Sequence, residues 1–211
     1  MAYQIRINPN ALREAGKSIS GIGDQVQDTI STLRAQASRL DAAWDGYAGA
    51  RAADTLMHNA MSLTPLVQAI ESNGRRLLDI ADAFSQAETG GVRPLDSGLL
   101  HNIVQIADRG MPVLSASISS ENTLSVEPFV LRQVASRIED ASDRLWDIAH
   151  RLNSMGETLS ADWEGRASDR FRHDNEIIAD AMRKAANSLR TGAERIVHAA
   201  YRYEQMDAEL M

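Results

Sequence analysis

The sequence contains no cysteine, which excludes disulfides, thiolate metal sites and cysteine nucleophiles. Aromatic residues make up only 5% of the chain beside 44% hydrophobic residues, a balance typical of helical proteins rich in Ala and Leu. Proline is also scarce, with five in 211 residues. Because proline interrupts helices, this scarcity leaves room for long ones. These features predict an all-α protein.

Long apolar runs are absent as well. No stretch approaches the roughly 20 apolar residues of a membrane-spanning helix, so we expect no stable membrane insertion. The segment Met1–Pro9 lacks an apolar run of signal-peptide length. If the protein leaves the cell, we expect it to do so without a cleavable signal peptide.

Positive charge is not concentrated anywhere in the sequence. The net charge is -7, and basic residues are interspersed with acidic ones instead of forming a patch. Nucleic-acid binding needs such a patch. We therefore expect no nucleic-acid partner.

Signatures of catalysis and metal binding are missing too. No histidine has a second ligand at metal-site spacing beyond acids expected by chance, and no phosphate loop, nucleophile elbow or Glu-x-x-His pair occurs. His173-Asp174 comes nearest to a catalytic pair, but a solvated helix face explains it better. We expect no enzyme, no metal and no cofactor. The histidines are His58, His101, His150, His173 and His198.

Apolar residues recur in steps of three and four, which predicts one buried stripe per helix. Asn8-Pro9-Asn10 is typical of a capped helix start, and Pro65 predicts a kink in the second helix. The first half has Ile22, Val26, Ile30, Leu33, Ala37, Leu40 and Trp44, then Leu56, Leu63, Leu66, Ile70, Leu77, Ile80 and Phe84. The second half has Ile138, Ala141, Leu145, Ile148, Leu152, Met155, Leu159 and Trp163, then Phe171, Ile178, Met182, Ala185, Leu189, Ile196, Ala199 and Tyr203.

One motif, Leu-x-x-x-Trp-[Asp/Glu]-Gly, occurs twice and predicts a helix followed by a turn. Its first copy has Leu40, Trp44 and Gly46, and its second has Leu159, Trp163 and Gly165. The copies are 119 residues apart, and this offset aligns residues 9–88 with the second half without a gap. Pro9 falls on Pro128, Arg13 on Arg132 and Arg51 on Arg170. So many coincidences indicate an internal duplication.

The duplication divides the chain into a hairpin at 1–88, a linker at 89–126 containing a short helix, and a hairpin at 127–211. Each hairpin needs a partner to bury its stripes, which predicts an elongated four-helix bundle. About 38 linker residues reach on the order of 120 Å when extended, enough to connect antiparallel hairpins. A linker folded back over parallel hairpins, or hairpins swapped between two chains, remains open.

Each half resembles the WXG family, the ESAT-like (Esx) helical hairpins named for Trp-X-Gly at their turn. Trp44-Asp45-Gly46 and Trp163-Glu164-Gly165 carry the likeness, with Leu40 and Leu159 before them. The resemblance implies an antiparallel pair fused into one polypeptide. It also implies synthesis in the bacterial cytoplasm and export by type VII secretion machinery to the exterior or cell surface. The secretion ATPase and a co-secreted effector are the partners that it implies.

The family's second export element, Tyr-x-x-x-[Asp/Glu], matches at Tyr203 and Asp207. The first half has Phe84 and Glu88 at the same spacing and lacks the phenol oxygen. We interpret the first element as degenerate and the second as intact. In an antiparallel pair, the Trp44 turn lies beside the intact element, and the Trp163 turn lies beside the degenerate one.

Several of these residues also have structural interpretations. Both motif tryptophans suit the end of a bundle core, and Trp146 suits a contact at the bundle edge. Asn73 and Gly192 hold corresponding stripe positions, which predicts close or polar packing. Three functions remain: a secreted type VII substrate, a cytoplasmic adaptor or chaperone that escorts a larger toxin or effector, and a purely structural bundle. The protein is a monomer or a swapped homodimer.

Overall fold

The computed structural model describes residues 7–85, 111 and 125–210, with the side chains of residues 85, 207, 209 and 210 excepted. Within these residues the secondary structure is helical, apart from two isolated β-bridges. The all-α prediction is therefore confirmed. The helices are α1 (Pro9–Ala43), α2 (Tyr47–Ser62), α3 (Thr64–Ser85), α4 (Pro128–Asp162) and α5 (Arg166–Leu210). The predicted linker helix lies outside the described residues.

The helices form two hairpins, and the second arm of the first hairpin is interrupted. Helix α2 ends at Ser62 and α3 begins at Thr64. Between them, Leu63 keeps helical angles (φ -80°, ψ -15°), and its N–H donates to the carbonyl of Ala60 at 3.3 Å. Pro65 has no N–H to continue the helical hydrogen bonds. The kink predicted from Pro65 is thus a break at Leu63.

Helix α1 starts where its capping residue predicts. The Asn8 Oδ1 accepts hydrogen bonds from the N–H groups of Asn10 at 3.2 Å and Ala11 at 3.3 Å. These bonds satisfy two donors that the first helical turn leaves without partners. Pro9 occupies the first helical position, where its missing N–H costs nothing. Helix α4 also begins with a proline, Pro128.

Each hairpin turns at a glycine with positive φ. Gly46 has φ 92° and Gly165 has φ 118°. Glycine alone adopts this region without a Cβ penalty. The motif glycines therefore end α1 and α4 and let the chain reverse.

The chain divides into two compact units, each with segments from both hairpins. Unit 1 comprises Met1–Gln27, Thr64–Arg109 and Asp147–Arg183, and unit 2 comprises Asp28–Leu63, Gly110–Trp146 and Lys184–Met211. The 119-residue offset carries the unit boundaries inside the first hairpin, after Gln27 and after Leu63, onto those inside the second, after Trp146 and after Arg183, to within one residue. The two units are therefore duplicates of each other in sequence.

Unit 1 packs four helical segments around an apolar core. The α1 and α4 segments run antiparallel, because Asn8 N–H donates to the Asp162 carbonyl at 2.9 Å while Arg151 bonds to Gln25 further along. Burial of each large apolar side chain in this core stabilises the unit by roughly 1.5–3 kcal/mol. The buried side chains include Leu12, Ile19, Ile22, Leu66, Ile70, Leu77, Ile148, Leu152, Leu159, Phe171, Ile178 and Met182.

Unit 2 repeats this packing with the remaining segments. Here Glu127 N–H donates to the Ala43 carbonyl at 2.9 Å and Arg39 bonds to Gln133 at 2.9 Å, so α1 and α4 are again antiparallel. The antiparallel arrangement agrees with the linker length. The buried side chains include Ile30, Leu33, Leu40, Leu56, Leu63, Met111, Leu131, Val134, Ile138, Leu145, Leu189 and Ile196.

The apolar stripes predicted from periodicity form this core. Every residue of the four stripes is buried except Phe84, Met155 and Tyr203, which are half-buried. Two of the three lie near the end of a hairpin's second arm. The period of the sequence therefore identified the inward face of each helix.

Candidate functional site

The turn after α1 is clamped by the backbone just before α4. Asp45 N–H donates to the Ser125 carbonyl at 3.0 Å, and Glu127 N–H donates to the Ala43 carbonyl at 2.9 Å. Trp44 and Val126 form an antiparallel bridge between these bonds. The clamp fixes the backbone on both sides of Trp44.

Trp44 lies against Tyr203 of α5. The indole N–H of Trp44 donates to the Tyr203 hydroxyl at 3.3 Å, and the two rings meet edge to face with centroids 6.0 Å apart. Trp44 is 1% exposed and Tyr203 is half-buried. A buried indole N–H usually needs an acceptor, and the phenol oxygen supplies it. The structure thus brings together two residues that the sequence analysis selected.

Small residues at the start of α2 make room for this contact. Gly49 packs on the Trp44 backbone so closely that a Cβ there would collide with the Trp44 carbonyl oxygen. Ala48, Ala52 and Ala53 are buried beside it in α2. The buried face of this first part of α2 is therefore made of small residues, and Gly49 allows the close approach to Trp44.

The neighbours of Tyr203 on α5 are tied to α4. Glu204 accepts a hydrogen bond from Arg132 at 2.6 Å. This hydrogen bond raises the pKa of Arg132 above its ordinary value. Asp207 lies in α5, and its side chain lies outside the described part of the structure. No contact can be assigned to it.

The turn after α4 has the same clamp and a different ring contact. Asn8 N–H donates to the Asp162 carbonyl at 2.9 Å, and Ile7 forms an antiparallel bridge with Trp163. The Trp163 ring packs on Phe171 of its own hairpin, with centroids 5.8 Å apart. The residue 119 positions before Phe171 is Ala52. The duplicate turns therefore bury their tryptophans against different partners.

The structure describes only part of the element that the sequence predicts to be degenerate. Phe84 is half-buried near the end of α3 and has no ring contact with another aromatic residue in the described part of the chain. Glu88 lies outside the described residues. The sequence analysis placed Phe171 in the buried stripe that follows Gly165, but it did not predict the contact of Phe171 with Trp163, eight positions earlier. The remaining motif residues, Leu40 and Leu159, are buried core residues.

Unit 1 also buries a polar network that the sequence analysis missed. Arg76 of α3 donates to Asp174 of α5 at 2.9 Å and to the Asn73 amide oxygen at 3.1 Å. The Asn73 amide in turn donates to Asn175 at 3.0 Å. The Arg76 and Asp174 side chains are only 8% and 6% exposed. The network links the first hairpin to the second.

The interpretation of His173-Asp174 as a solvated helix face is wrong for Asp174. His173 is exposed, but Asp174 faces the core and pairs with Arg76. Asp174 follows Phe171 by three positions and precedes Ile178 by four, which is the spacing of the buried stripe. The polar packing predicted at Asn73 is confirmed, and so is the edge contact of Trp146, whose indole N–H donates to Asn187 at 3.3 Å.

Large apolar side chains at the surface are confined to unit 2 among the described residues. Their positions in unit 1, reached by the 119-residue offset, hold Arg166, Asp180, Asn10, Gln27, Leu78 and Asp82, while the counterpart of Met206 is undescribed. Five of these six are polar or charged. The exposed apolar residues of unit 2 are Tyr47, Met61, Phe129, Trp146, Val197, Tyr201 and Met206.

The described helices offer no membrane span and no metal cluster. None of them is both long and apolar enough to cross a membrane. No group of three or more His, Asp or Glu side chains in the described residues is arranged to hold a metal ion.

A comparison with known protein families gives two matches, and each match includes one of the two Trp-x-Gly turns. A family model described as "WXG100: Proteins of 100 residues with WXG" matches the chain at residues 4–89 and again at 123–208. No curated protein and no solved structure matches. Together the two matched segments cover well over half of the 211 residues. The chain therefore belongs to the WXG100 family of small helical type VII secretion substrates and carries two family units in tandem.

Proposed function

We propose that this protein is a non-enzymatic type VII secretion substrate in which one chain takes the place of a pair of WXG proteins. Its two hairpins, at 1–88 and 127–211, pair within the molecule, and the 89–126 segment connects them. The secretion ATPase recognises it in the bacterial cytoplasm, and it reaches the exterior or the cell surface. It acts there alone or with a co-secreted effector.

The contact between Trp44 and Tyr203 carries this proposal. It joins the turn of the first hairpin to the C-terminal arm of the second. Asp207 follows Tyr203 by one helical turn, where a carboxylate can share the same surface. We propose that Trp44, Gly46, Tyr203 and Asp207 together form the export signal. The Trp163 turn with Phe84 and Glu88 is then a structural duplicate without signal activity.

Secretion of matched variants tests the export signal. The signal variants are Tyr203→Phe, which removes the hydroxyl that Trp44 contacts, and Asp207→Asn, which removes the charge. The controls are Phe84→Ala and Glu88→Gln at the duplicate positions. We expect the signal variants to accumulate in cells and the controls to reach the culture supernatant. Each variant is first checked for helical content and unfolding midpoint, so that loss of folding is recognised.

Two results would contradict the proposal. Normal secretion of folded Tyr203→Phe and Asp207→Asn proteins would show that this element is not the signal. Equal loss of secretion by the duplicate controls would show that the two halves have equal roles. In either case the family membership of the chain would stand, and the assignment of its signal would fall.

The exposed apolar residues of unit 2 favour a second candidate, a cytoplasmic adaptor that escorts a larger effector. Phe129, Tyr201 and Tyr47 are more than half exposed, and aromatic side chains are enriched at surfaces where proteins bind one another. Their unit 1 counterparts are Asn10, Asp82 and Arg166, so the fold does not require aromatic residues there. An adaptor would use these residues to hold its cargo.

Cell fractionation with affinity capture separates the two candidates. A substrate is recovered from the supernatant as a folded chain, and an adaptor stays in the cytoplasm with a larger protein bound. We expect recovery from the supernatant. If the chain remains entirely in the cytoplasm, and the replacements F129N, Y201D and Y47R together release a stoichiometric larger partner, the adaptor function replaces the one that we favour.

A further inference from the structure

A groove between α1 and α4 in unit 2 is lined by three arginines. It consists of two adjoining hollows of about 260 and 410 Å³ that share Arg137 and Asp140. Arg144 lies at one end of the groove and Arg39 at the other. With Asp140 as the opposing charge, the lining carries an excess of two positive charges on a chain whose net charge is -7.

These arginines remain available to a ligand. Arg137 pairs with Asp140 at 3.4 Å within one helix, and both side chains are more than half exposed, so water weakens this pair. Arg39 donates to a neutral group, the Gln133 amide oxygen, at 2.9 Å. Arg144 has no ion-pair partner within the described part of the chain. None of the three charges is neutralised by a buried carboxylate.

A buried side chain with an unpaired acceptor also lines the groove. Gln36 lines the first hollow, is 7% exposed, and its buried Oε1 has no hydrogen-bond donor among the described residues. Leaving such an oxygen without a donor costs free energy. A peptide N–H entering the groove would supply the missing donor once the Gln36 amide turns toward it. A carboxylate or phosphate alone would not, since neither donates a hydrogen bond when fully ionised.

The duplicate groove of unit 1 shows that the fold does not require this lining. The offset of 119 residues places Thr158, Ser18 and Gln25 where unit 2 has Arg39, Arg137 and Arg144. Met155 stands at the position of Gln36. The counterparts of Thr32, Gln133 and Ser136 are Arg151, Glu14 and Lys17. The corresponding positions of unit 1 therefore carry one excess positive charge where unit 2 carries two, and an apolar residue replaces the buried amide. The arginines and Gln36 are special to unit 2.

We infer that the α1–α4 groove of unit 2 is a binding site for an acidic peptide segment of a partner protein. Arg137 and Arg144 are seven residues apart on α4, about 10 Å along the helix. They would hold two carboxylates of the peptide through charge-assisted hydrogen bonds. The Gln36 oxygen would accept a hydrogen bond from the peptide backbone between them. The inference does not depend on the export signal.

Fluorescence anisotropy with a labelled hexaglutamate peptide at low ionic strength tests this site. Hexaglutamine of the same length is the neutral probe, and tripolyphosphate is the probe for a general anion patch. The groove variant R39T/R137S/R144Q carries the unit 1 residues. The control R75Q/R170Q/R172Q removes three exposed arginines from unit 1, so that both variants lose the same charge. Unfolding midpoints confirm that each variant is folded.

We expect hexaglutamate to bind the native chain and hexaglutamine not to bind. The groove variant should lose roughly tenfold or more in affinity, because it removes charged donors, and the control should change it little. Gln36→Met should weaken hexaglutamate binding several-fold without any change in charge.

Three results would overturn the inference: no binding of hexaglutamate, equal losses in the groove variant and the control, or an unchanged affinity in Gln36→Met. The inference would also fail if tripolyphosphate bound more tightly than hexaglutamate and Gln36→Met left its affinity unchanged. The arginines would then form a general anion patch.

Discussion

Units 1 and 2 have duplicated sequences and the same arrangement of helices, yet they differ in which side chains they bury and which they expose. Unit 1 buries an ion pair, Arg76 with Asp174, where unit 2 has Arg195 and Thr55. Unit 2 instead pairs Trp44 with Tyr203 and carries large apolar side chains on its surface. Because one fold accommodates both versions, it does not dictate these differences. They indicate where each unit has acquired its own role.

The ion pair of unit 1 lies at the contact between the two hairpins. Two N–H-bearing atoms of Arg76, Nε and Nη2, have no partner among the described residues, so the pair is not fully satisfied. A buried pair of this kind is weak evidence for stability, but it restricts which surfaces can meet. We interpret it as a device that favours pairing of α3 with α5 in one register.

Breaking that pair should give the largest change in stability. Asp174→Ala leaves Arg76 buried without a counter-charge, and we expect a loss of about 3–5 kcal/mol in the free energy of unfolding. Urea denaturation measures it. The control is Asp169→Ala in the same helix, which breaks the exposed pair with Arg172 and should cost no more than about 1 kcal/mol. Similar losses in the two variants would contradict the buried pair.

The close packing at the first turn predicts the next largest effect. In Gly49→Ala the new Cβ meets the Trp44 carbonyl, so the turn must shift, and we expect a loss of about 1–3 kcal/mol. Gly21→Ala is the control, because no atom lies within 4 Å of a Cβ there. That variant should gain roughly 0.5–1 kcal/mol in the α1 interior. Thermal unfolding of both proteins measures these changes. A Gly49→Ala protein as stable as the native chain would contradict the close packing of Gly49 on Trp44.

The Trp44–Tyr203 contact should give a smaller and coupled effect. Tyr203→Phe removes an acceptor, and we expect a loss of about 1 kcal/mol. In a double-mutant cycle with Trp44→Phe the two losses should not add, because each removes the same hydrogen bond. With Trp163→Phe, in the other unit, they should add. Additive losses in the first cycle would contradict the hydrogen bond.

Replacing the exposed aromatic side chains of unit 2 should have the smallest effect on stability. The variant Y47R/F129N/Y201D gives unit 2 the residues of unit 1 at three positions that are more than half exposed, and we expect each change to alter stability by no more than about 0.5 kcal/mol. Denaturation midpoints measure this. A much larger loss would mean that these side chains belong to the core of unit 2 and not to its surface.

Much of this fold follows from the sequence alone. The steps of three and four, the two Trp-x-Gly turns and the 119-residue offset predicted the helices, their inward faces and the tandem arrangement, because helical periodicity is local. Pro65 indicated the break in the second arm for the same reason. The linker length favoured antiparallel hairpins, and the turn contacts in both units agree with it.

Long-range polar contacts were beyond this kind of reasoning. Arg76 and Asp174 are 98 residues apart in sequence, and periodicity does not tell which charge on one helix meets which on another. The stripe position of Asp174 was a usable signal, but a charged residue in a buried stripe was set aside as solvated. Phe171 was predicted to be buried, but its contact with Trp163 was not predicted, because the two rings meet across a turn, where helical spacing no longer applies.

Moving the phenol oxygen from one half to the other tests the inequality of the two halves most directly. Tyr203→Phe removes it from the second half, and adding Phe84→Tyr supplies it to the first, where Glu88 already provides the acid. The measurement is the secreted fraction of each folded protein. We expect Tyr203→Phe to stay in the cell and the double variant to regain secretion. Normal secretion of Tyr203→Phe, or no recovery in the double variant, would contradict the claim that this oxygen distinguishes the two halves.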